Sequence, residues 1–222
     1  PLLLAGVYVL VRGVFRQVGD NPMERNAIIA NLIMGVFFYR FANDIITGSA
    51  GSILRNKSMV LNTNFPRAVF PLIGAAKAVI EFLPILIVLV VMHAALGQPF
   101  GLSLTVVPVL WLMILVFSLG AGMFFATLTV YLRDTTNILT FVMRLLFFMT
   151  PIIYTVEEIP AGLLPYLQFN LLFPVFWALE LAWGGQWPPA VTYVWFGAWM
   201  IGAFLLGVAW FISKERSFAS RL

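Results

Sequence analysis

Two pairs of opposite charges lie inside apolar stretches of this 222-residue chain. Arg40 and Asp44 are four residues apart, and the same spacing separates Lys77 from Glu81. Side chains at this spacing meet on one face of an α-helix, whereas a charge inside a membrane is costly unless it is paired or functional. The pairs therefore predict one of two roles. They either line a path for a hydrophilic or anionic cargo, or they are neutralised structural pairs near the helix ends, with Lys77 reaching towards the interface.

Residues that would support catalysis or metal binding do not form a recognisable set. The sequence has no cysteine and a single histidine, His93, which excludes thiolate metal sites and disulfides and points to a structural or interfacial histidine. The phosphate-binding pattern G-x-x-x-x-G-K-[ST] does not occur, and Asp134 follows Arg133, which favours an ion partner over a general base. The adjacent Glu157 and Glu158 have no metal-ligating companions near them in sequence. We therefore do not expect an enzyme, a metal site or a cofactor in this chain.

The composition places the chain in a membrane. Hydrophobic residues make up 62% of it and charged residues only 10%, whereas soluble domains have about 45–50% apolar and about 25% charged residues. The net charge of +4 is typical of loops that face anionic lipid, so we do not expect nucleic acid as a partner. Because no soluble-looking block is visible, residues 1–222 are predicted to form one transmembrane domain.

Six stretches are candidates for helices that cross the bilayer, which takes about 20 apolar residues. They are predicted at 1–15, 26–46, 68–96, 102–131, 137–154 and 188–212. The first begins within an apolar run, without the basic flank of a signal peptide, so we expect the natural chain to start earlier. The predicted fold is an all-α integral membrane protein with six transmembrane helices, the first of them truncated.

Residues 155–187, before the last predicted span, form an apolar segment that is repeatedly interrupted. Pro160, Pro165, Pro174 and the pair at 184–185 divide it into pieces too short to cross a bilayer. We predict a re-entrant or interfacial pair of short helices on the outer side, whose broken backbone packs against protein. The alternative is a long outer loop with an apolar patch.

Basic residues near the span ends predict the orientation of the chain. Seven of them fall on one side: Arg55, Lys57, Arg67, Arg133, Lys214, Arg216 and Arg221. Three fall on the other side: Arg12, Arg16 and Arg25. The side with seven is expected to be cytoplasmic, which places both termini and the polar residues 55–67, here named the elbow, in the cytosol.

Two local patterns suggest how helices pack. A short amphipathic helix is expected in the elbow at 58–62, with 59–61 as its apolar side, although a plain turn at the lipid surface fits the pattern as well. Ser118, Gly122 and Ala126 repeat a small residue at every fourth position, which allows close helix packing in a bundle or a dimer.

Aromatic residues cluster in the second and fifth predicted spans. We expect most of them to face lipid or the interface; alternatively, a minority line a path along which sugar rings slide. Together with the first charge pair they make up the candidate conduit lining, which comprises Phe37, Phe38, Tyr39, Arg40, Asp44, Phe141, Phe147 and Phe148.

Four stretches, in order along the chain, resemble the membrane subunit of ABC exporters that move lipid-linked polysaccharides, the O-antigen, teichoic-acid, capsule and galactan export type. They are RNKSMVLNTNFPRAVFPL, YLRDTTNIL, LLFFMTPIIYTVEEIP and FPVFWALELAWGG. The resemblance implies a homodimer of six-span subunits. Each subunit is expected to bind a separate cytosolic ABC ATPase, giving two copies that carry the ATP and Mg²⁺.

The resemblance also implies roles for particular residues. The helix that contacts the ATPase corresponds to Asn56, Lys57, Ser58, Met59, Val60, Leu61, Asn62, Thr63, Asn64, Phe65, Pro66 and Arg67. Arg133 and Asp134 match a motif of the second cytoplasmic loop, and Pro174 and Glu180 match the short helices before the last span. This chain departs from the family pattern at Phe173 and Trp183, where the family has Asn and Arg.

The predicted function is therefore that of a permease subunit in an ATP-driven exporter of a lipid-linked polysaccharide. It would act in the bacterial plasma membrane, with the conduit at the homodimer interface. The alternatives are an ABC permease for a small molecule or drug, an ion-coupled secondary transporter and a membrane enzyme acting on polyprenyl substrates. The second would usually need internal repeats and broken helices around a midplane site, and the third an acidic or metal-binding loop.

Overall fold

The computed structural model describes residues 22–62, 66–160, 162–167 and 169–221. The first predicted span, at 1–15, lies outside the described residues, as do Thr63, Asn64 and Phe65 of the elbow. Every regular element in the described part of the chain is helical, which confirms the predicted all-α class.

Ten α-helices and three short 3₁₀ turns follow one another along the described residues. The helices are α1 (Pro22–Ala50), α2 (Ser52–Arg55), α3 (Lys57–Asn62), α4 (Val69–Ala95), α5 (Val107–Tyr131), α6 (Thr135–Met149), α7 (Leu164–Leu167), α8 (Phe173–Trp183), α9 (Ala190–Lys214) and α10 (Phe218–Arg221). The 3₁₀ turns are Leu102–Val106, Val156–Glu158 and Glu215–Ser217.

Four helical stretches among the described residues are long and apolar enough to cross a membrane. They are Arg25–Ala50, Val69–Ala95, Leu102–Tyr131 and Ala190–Ser217. They correspond to the second, third, fourth and sixth predicted spans, whose positions are thereby confirmed. The six-span count itself stays a prediction.

The fifth predicted span differs from the structure at its end. Helix α6 has 15 residues and ends at Met149, five residues before the predicted limit. Pro151 explains the difference, because proline lacks an amide hydrogen and disfavours helical geometry in the residue before it. At about 1.5 Å per residue, α6 is shorter than the hydrocarbon core of a bilayer is thick.

The chain divides into two compact units. The first comprises Pro1–Arg40, Leu83–Trp111 and Leu146–Phe196, and the second comprises Phe41–Phe82, Leu112–Leu145 and Gly197–Leu222. Each unit has its own buried apolar side chains among the described residues.

In the first unit, α8 is the most enclosed element. Eight of its 11 residues are buried. The Ser103 hydroxyl donates a hydrogen bond of 3.0 Å to the carbonyl oxygen of Ala182, and the Asn170 amide donates one of 2.9 Å to the Thr150 hydroxyl. Apolar packing and a few side-chain hydrogen bonds thus hold this short helix in place.

In the second unit, α5 and α9 come into backbone contact at two glycines. A Cβ on Gly207 would meet the carbonyl oxygen of Gly120, and a Cβ on Gly120 would lie 2.6 Å from the carbonyl oxygen of Ala203. No side chain larger than hydrogen fits at either position. Small residues allow helices to pack this closely inside a membrane, where lipid contact removes most of the hydrophobic drive for association.

The predicted stripe of small residues also packs closely, on the other side of α5 from that contact. A Cβ on Gly122 would lie 2.7 Å from the Cβ of Ser49 in α1, while Ser118 and Ala126 are fully buried. The expectation of close helix packing is confirmed. The tightest approach is nevertheless at Gly120, which does not belong to the stripe.

Replacing Gly207 with alanine is expected to destabilise the protein by about 1–3 kcal/mol, because the added methyl group forces α5 and α9 apart. The melting temperature of the purified protein should fall by about 2–4 °C for each kcal/mol. Gly202→Ala is the matched control in the same helix, since nothing lies within 4 Å of a Cβ there. The control should be neutral or slightly stabilising, and equal melting temperatures for the two variants would refute the backbone contact.

Candidate functional site

The short helix α2 leads into the elbow, which contains the short helix α3. The Arg55 guanidinium donates to the carbonyl oxygen of Gly48, and the Asn56 amide donates to that of Ser52 at 2.8 Å. The backbone amide of Asn56 also donates to the Ser52 carbonyl, at 3.2 Å, so side-chain and backbone bonds together close the end of α2. The chain then turns at Asn56 and continues into α3.

Helix α3 confirms the short helix expected in the elbow but corrects its orientation. Of the three residues predicted to share its apolar side, only Val60 is buried, at 3% exposure. Met59 and Leu61 remain 57% and 46% exposed. Successive residues of an α-helix are about 100° apart around the axis, so three consecutive residues cannot face one side.

The inner side of the elbow is covered by an apolar cluster in the second unit, here named the elbow core. It consists of Ile53, Val60, Phe70, Met123, Ala126, Val130, Phe211 and Phe218. These residues come from α2, α3, α4, α5, α9 and α10, so six helices meet at one point. Burying one such side chain contributes about 1.5–3 kcal/mol, and the cluster therefore fixes α3 firmly.

Polar contacts also join the last described residues of the chain to the region around the elbow core. The Arg67 guanidinium donates to the carbonyl oxygen of Glu215. The hydroxyl groups of Tyr131 and Ser217 are 2.8 Å apart, and the Arg221 guanidinium carbon is 5.2 Å from the centroid of the Tyr131 ring. Arg67 therefore has a partner within the chain.

The outer side of the elbow carries the remaining residues of the predicted contact helix. Lys57 and Ser58 are exposed, like the two apolar neighbours described above, and so is Pro66, the next described residue after α3. Two exposed apolar side chains thus lie beside a basic residue on the outer side of the elbow.

Arg133 and Asp134 lie where α5 passes into α6, and both side chains are exposed. The carbonyl oxygen of Asp134 accepts the backbone amides of Asn137 at 3.0 Å and Ile138 at 3.1 Å. The backbone of this pair thus starts α6, while its side chains are directed outward.

The candidate conduit residues do not form one group. Phe37, Phe38 and Tyr39 are buried in the first unit, where the Tyr39 ring lies 5.1 Å from that of Phe147. The expectation that they face lipid or the interface is wrong for these three, because they pack against residues of their own chain. Phe141 and Phe148, at 60% and 53% exposure, are available to an external surface.

The charge pairs retain their predicted spacing. Lys77 and Glu81 form an ion pair at 3.6 Å with both side chains exposed, which confirms that they meet on one helix face. Arg40 is exposed and Asp44 is partly buried. A role for either pair in lining a conduit stays a prediction.

The segment 155–187 contains short helical pieces, as predicted. The turn Val156–Glu158 begins with a reciprocal cap between Thr155 and Glu158, and α7 and α8 follow. Pro174 lies in the first turn of α8, where its missing amide hydrogen costs nothing, and Glu180 lies partly buried in the same helix. Whether the segment re-enters the membrane stays a prediction.

His93 has the structural role expected of it. It is 2% exposed, its Nε2 lies 3.2 Å from the carbonyl oxygen of Pro99, and its ring lies 4.6 Å from that of Trp183. Trp183 is one of the two positions that depart from the family pattern, and here it packs as an aromatic residue. Among the described residues, no group of three or more His, Asp or Glu could hold a metal ion.

An aromatic groove opens in the first unit between α8 and the start of α9. Its volume is about 420 Å³, and it is lined by Phe169, Phe173, Pro174, Trp177, Val191, Thr192 and Trp195. The Thr192 hydroxyl donates to the carbonyl oxygen of Pro189 at 2.8 Å. The lining side chains therefore offer rings and hydrocarbon but few hydrogen bonds, which suits an apolar ligand.

Sequence reasoning singled out neither Phe218 nor Tyr131, and it assigned Arg67 only to the partner contact. The available signal was local: Phe218 is the one aromatic residue of the polar run SKERSFASR. A lone aromatic residue in a polar stretch often marks a point of attachment, but the sequence does not show to what.

Comparison with known proteins gives the family. The model of the ABC-2 type transporter family matches residues 3–187. Two O-antigen export system permease proteins RfbA of Klebsiella pneumoniae are 28% and 27% identical over 173 residues. Each match covers 78% of this chain and 65% of the relative, so the chain spans about two thirds of its relatives' length. Because the family model covers most of the 222 residues, the chain belongs to the ABC-2 type transporter family and is a multi-pass membrane protein.

Proposed function

We propose that this chain is the permease subunit of an ABC exporter that carries a lipid-linked polysaccharide across the bacterial plasma membrane. The observation that carries the proposal is the elbow. Its inner side is buried in the elbow core, while its outer side exposes Met59 and Leu61 beside Lys57. Because the inner side of α3 packs against the elbow core, a force applied to its outer side can be transmitted to the helices of that core.

This force would come from a separate cytosolic ABC ATPase, one copy for each subunit of a homodimer. ATP and Mg²⁺ would be held by that partner. On closing around ATP, the two ATPase subunits would move the two elbows, and the attached helices would open a conduit between the permease subunits. Arg133 and Asp134, exposed at the neighbouring loop, would form a second contact with the same partner.

The distribution of basic residues supports the orientation that this mechanism requires. All seven basic residues of the predicted cytoplasmic side belong to the second unit, which also contains the elbow and the elbow core. Basic residues near span ends favour the cytoplasmic side. The elbow and both termini would then face the cytosol, with six spans in all.

The aromatic groove supports a cargo that has a hydrocarbon part. A polysaccharide attached to a lipid presents both sugar rings and an apolar chain, and the groove offers a place for the latter. The two Klebsiella relatives are named O-antigen export system permease proteins, which agrees with such a cargo.

The ATPase contact is tested by replacing Leu61 with glutamate. A charge on this exposed apolar position should weaken binding of the ATPase about tenfold or more, the cost of about 1.4 kcal/mol or more at an interface. The measurement is the amount of ATPase that co-purifies with the solubilised permease. Leu163→Glu is the matched control, because Leu163 is also exposed, at 53%, but lies in the predicted outer segment. The contact would be contradicted if both variants lost the ATPase equally, or if neither variant lost it.

The cargo is tested by replacing Trp177 with alanine. Removing this ring should reduce the amount of glycan at the cell surface severalfold, because the groove loses part of the wall that would hold the lipid chain. Trp187→Ala is the control, since Trp187 is exposed and does not line the groove. Export that is unchanged in Trp177→Ala at normal membrane levels would remove the groove from the transport path.

A further inference from the structure

We propose that residues 215–221 act as a strap that holds the elbow in its working position, with Arg67, Tyr131 and Phe218 as positioning residues for coupling. The strap consists of the turn Glu215–Ser217 and helix α10. Its consequence for transport rests on the proposed function, whereas its effect on the elbow can be measured without it.

Phe218 anchors the strap. Its side chain is 0% exposed, and its ring lies 5.3 Å from that of Phe211 in an edge-on arrangement. It belongs to the same cluster as Val60, the inward-facing residue of α3. The neighbouring Arg216 and Arg221 remain exposed, so this single aromatic ring attaches an otherwise polar segment to the underside of the elbow.

Polar contacts hold the strap at both of its ends. At the start, the carbonyl oxygen of Glu215 accepts from the Arg67 guanidinium, which joins the strap to the exit of the elbow. Ser217, in the starting turn, and Arg221, at the far end, both contact Tyr131, the last residue of α5. The strap thus links the elbow to the end of a membrane-spanning helix.

The contacts divide the residues of the elbow between two tasks. Met59 and Leu61 are exposed on the outer side, whereas Val60 is buried in the elbow core and Arg67 is bonded to the strap. Arg67 was assigned to the ATPase contact by resemblance, but its hydrogen bond to Glu215 gives it a positioning role within the chain.

The elbow depends on this support because α3 is short. A helix of six residues is not stable by itself in water, and packing must hold it. If the strap were loosened, the cluster that holds Val60 would lose Phe218 and α3 would open more often. A force applied to the outer side would then displace α3 alone and would not be transmitted to α5 and α9.

Amide hydrogen exchange of the full chain in lipid nanodiscs tests the strap. In Phe218→Ala, exchange of the amides at 57–62 should be at least about tenfold faster, because local opening becomes easier. Tyr131→Phe removes only the hydroxyl group that contacts Ser217 and should speed the same amides about threefold to tenfold, as expected for one hydrogen bond. Ile212→Ala removes an exposed side chain next to Phe211 and should leave them unchanged.

Two results would overturn the strap. One is exchange at 57–62 that matches the wild type in both Phe218→Ala and Tyr131→Phe. The other is faster exchange in Ile212→Ala to the same degree, which would indicate general loosening of α9. If Phe218→Ala does not accumulate in the membrane, Tyr131→Phe and the conservative Phe218→Leu decide the question.

The transport consequence is tested in cells and with the purified complex. In Tyr131→Phe and Phe218→Ala the ATPase should co-purify at the wild-type ratio, while glycan exported per ATP hydrolysed falls severalfold and Phe218→Leu restores most of it. Loss of the ATPase, or full export, in Phe218→Ala would overturn the positioning role. If the wild-type chain binds no ATPase and exports no glycan, the proposed function fails, yet the exchange experiment still decides whether the strap exists.

Discussion

Burial of one valine side chain determines where the exposed surface of the elbow lies. Val60 projects from α3 into a cluster supplied by α2, α4, α5, α9 and α10, and the outward direction of its neighbours follows from that burial. A six-residue helix has too few hydrogen bonds to persist alone. The position of the candidate docking surface is therefore a property of the ends of the long helices, and any force applied there acts on those ends.

Further along the same long helices, the second unit is held together by close contacts at glycines. Gly120 and Gly207 bring two backbones against each other, and Gly122 lies close to the side chain of Ser49. In lipid, helices gain little from burying further apolar surface, so close backbone packing supplies much of the attraction. The second unit thus combines glycine contacts within the helical bundle with the elbow core near its basic residues.

Much of the fold could be predicted from the sequence because a membrane imposes long apolar runs. The four spans in the described residues follow from that requirement, and the early end of α6 would have followed had Pro151 been given its full weight. The burial of 37–39 and the attachment of Phe218 could not be predicted, since their partners are remote in sequence. Arg67 and Glu215 are 148 residues apart, and Tyr131 and Ser217 are 86 apart. Local periodicity carries no information about such pairs. The facing of α3 was missed because three consecutive residues cannot share one helix face, and the sequence alone does not show which of the three is buried.

The glycine contact also sets the rotational phase of everything that follows it in α9. Gly207 faces α5, and Phe211, one turn later, faces the same way and enters the elbow core. One residue inserted between them would turn Phe211 by about 100° away from the cluster, and Phe218 would lose the ring against which it packs. The interval of four residues between Gly207 and Phe211 therefore has a fixed length. Substitutions within it should be tolerated far better than an insertion or a deletion.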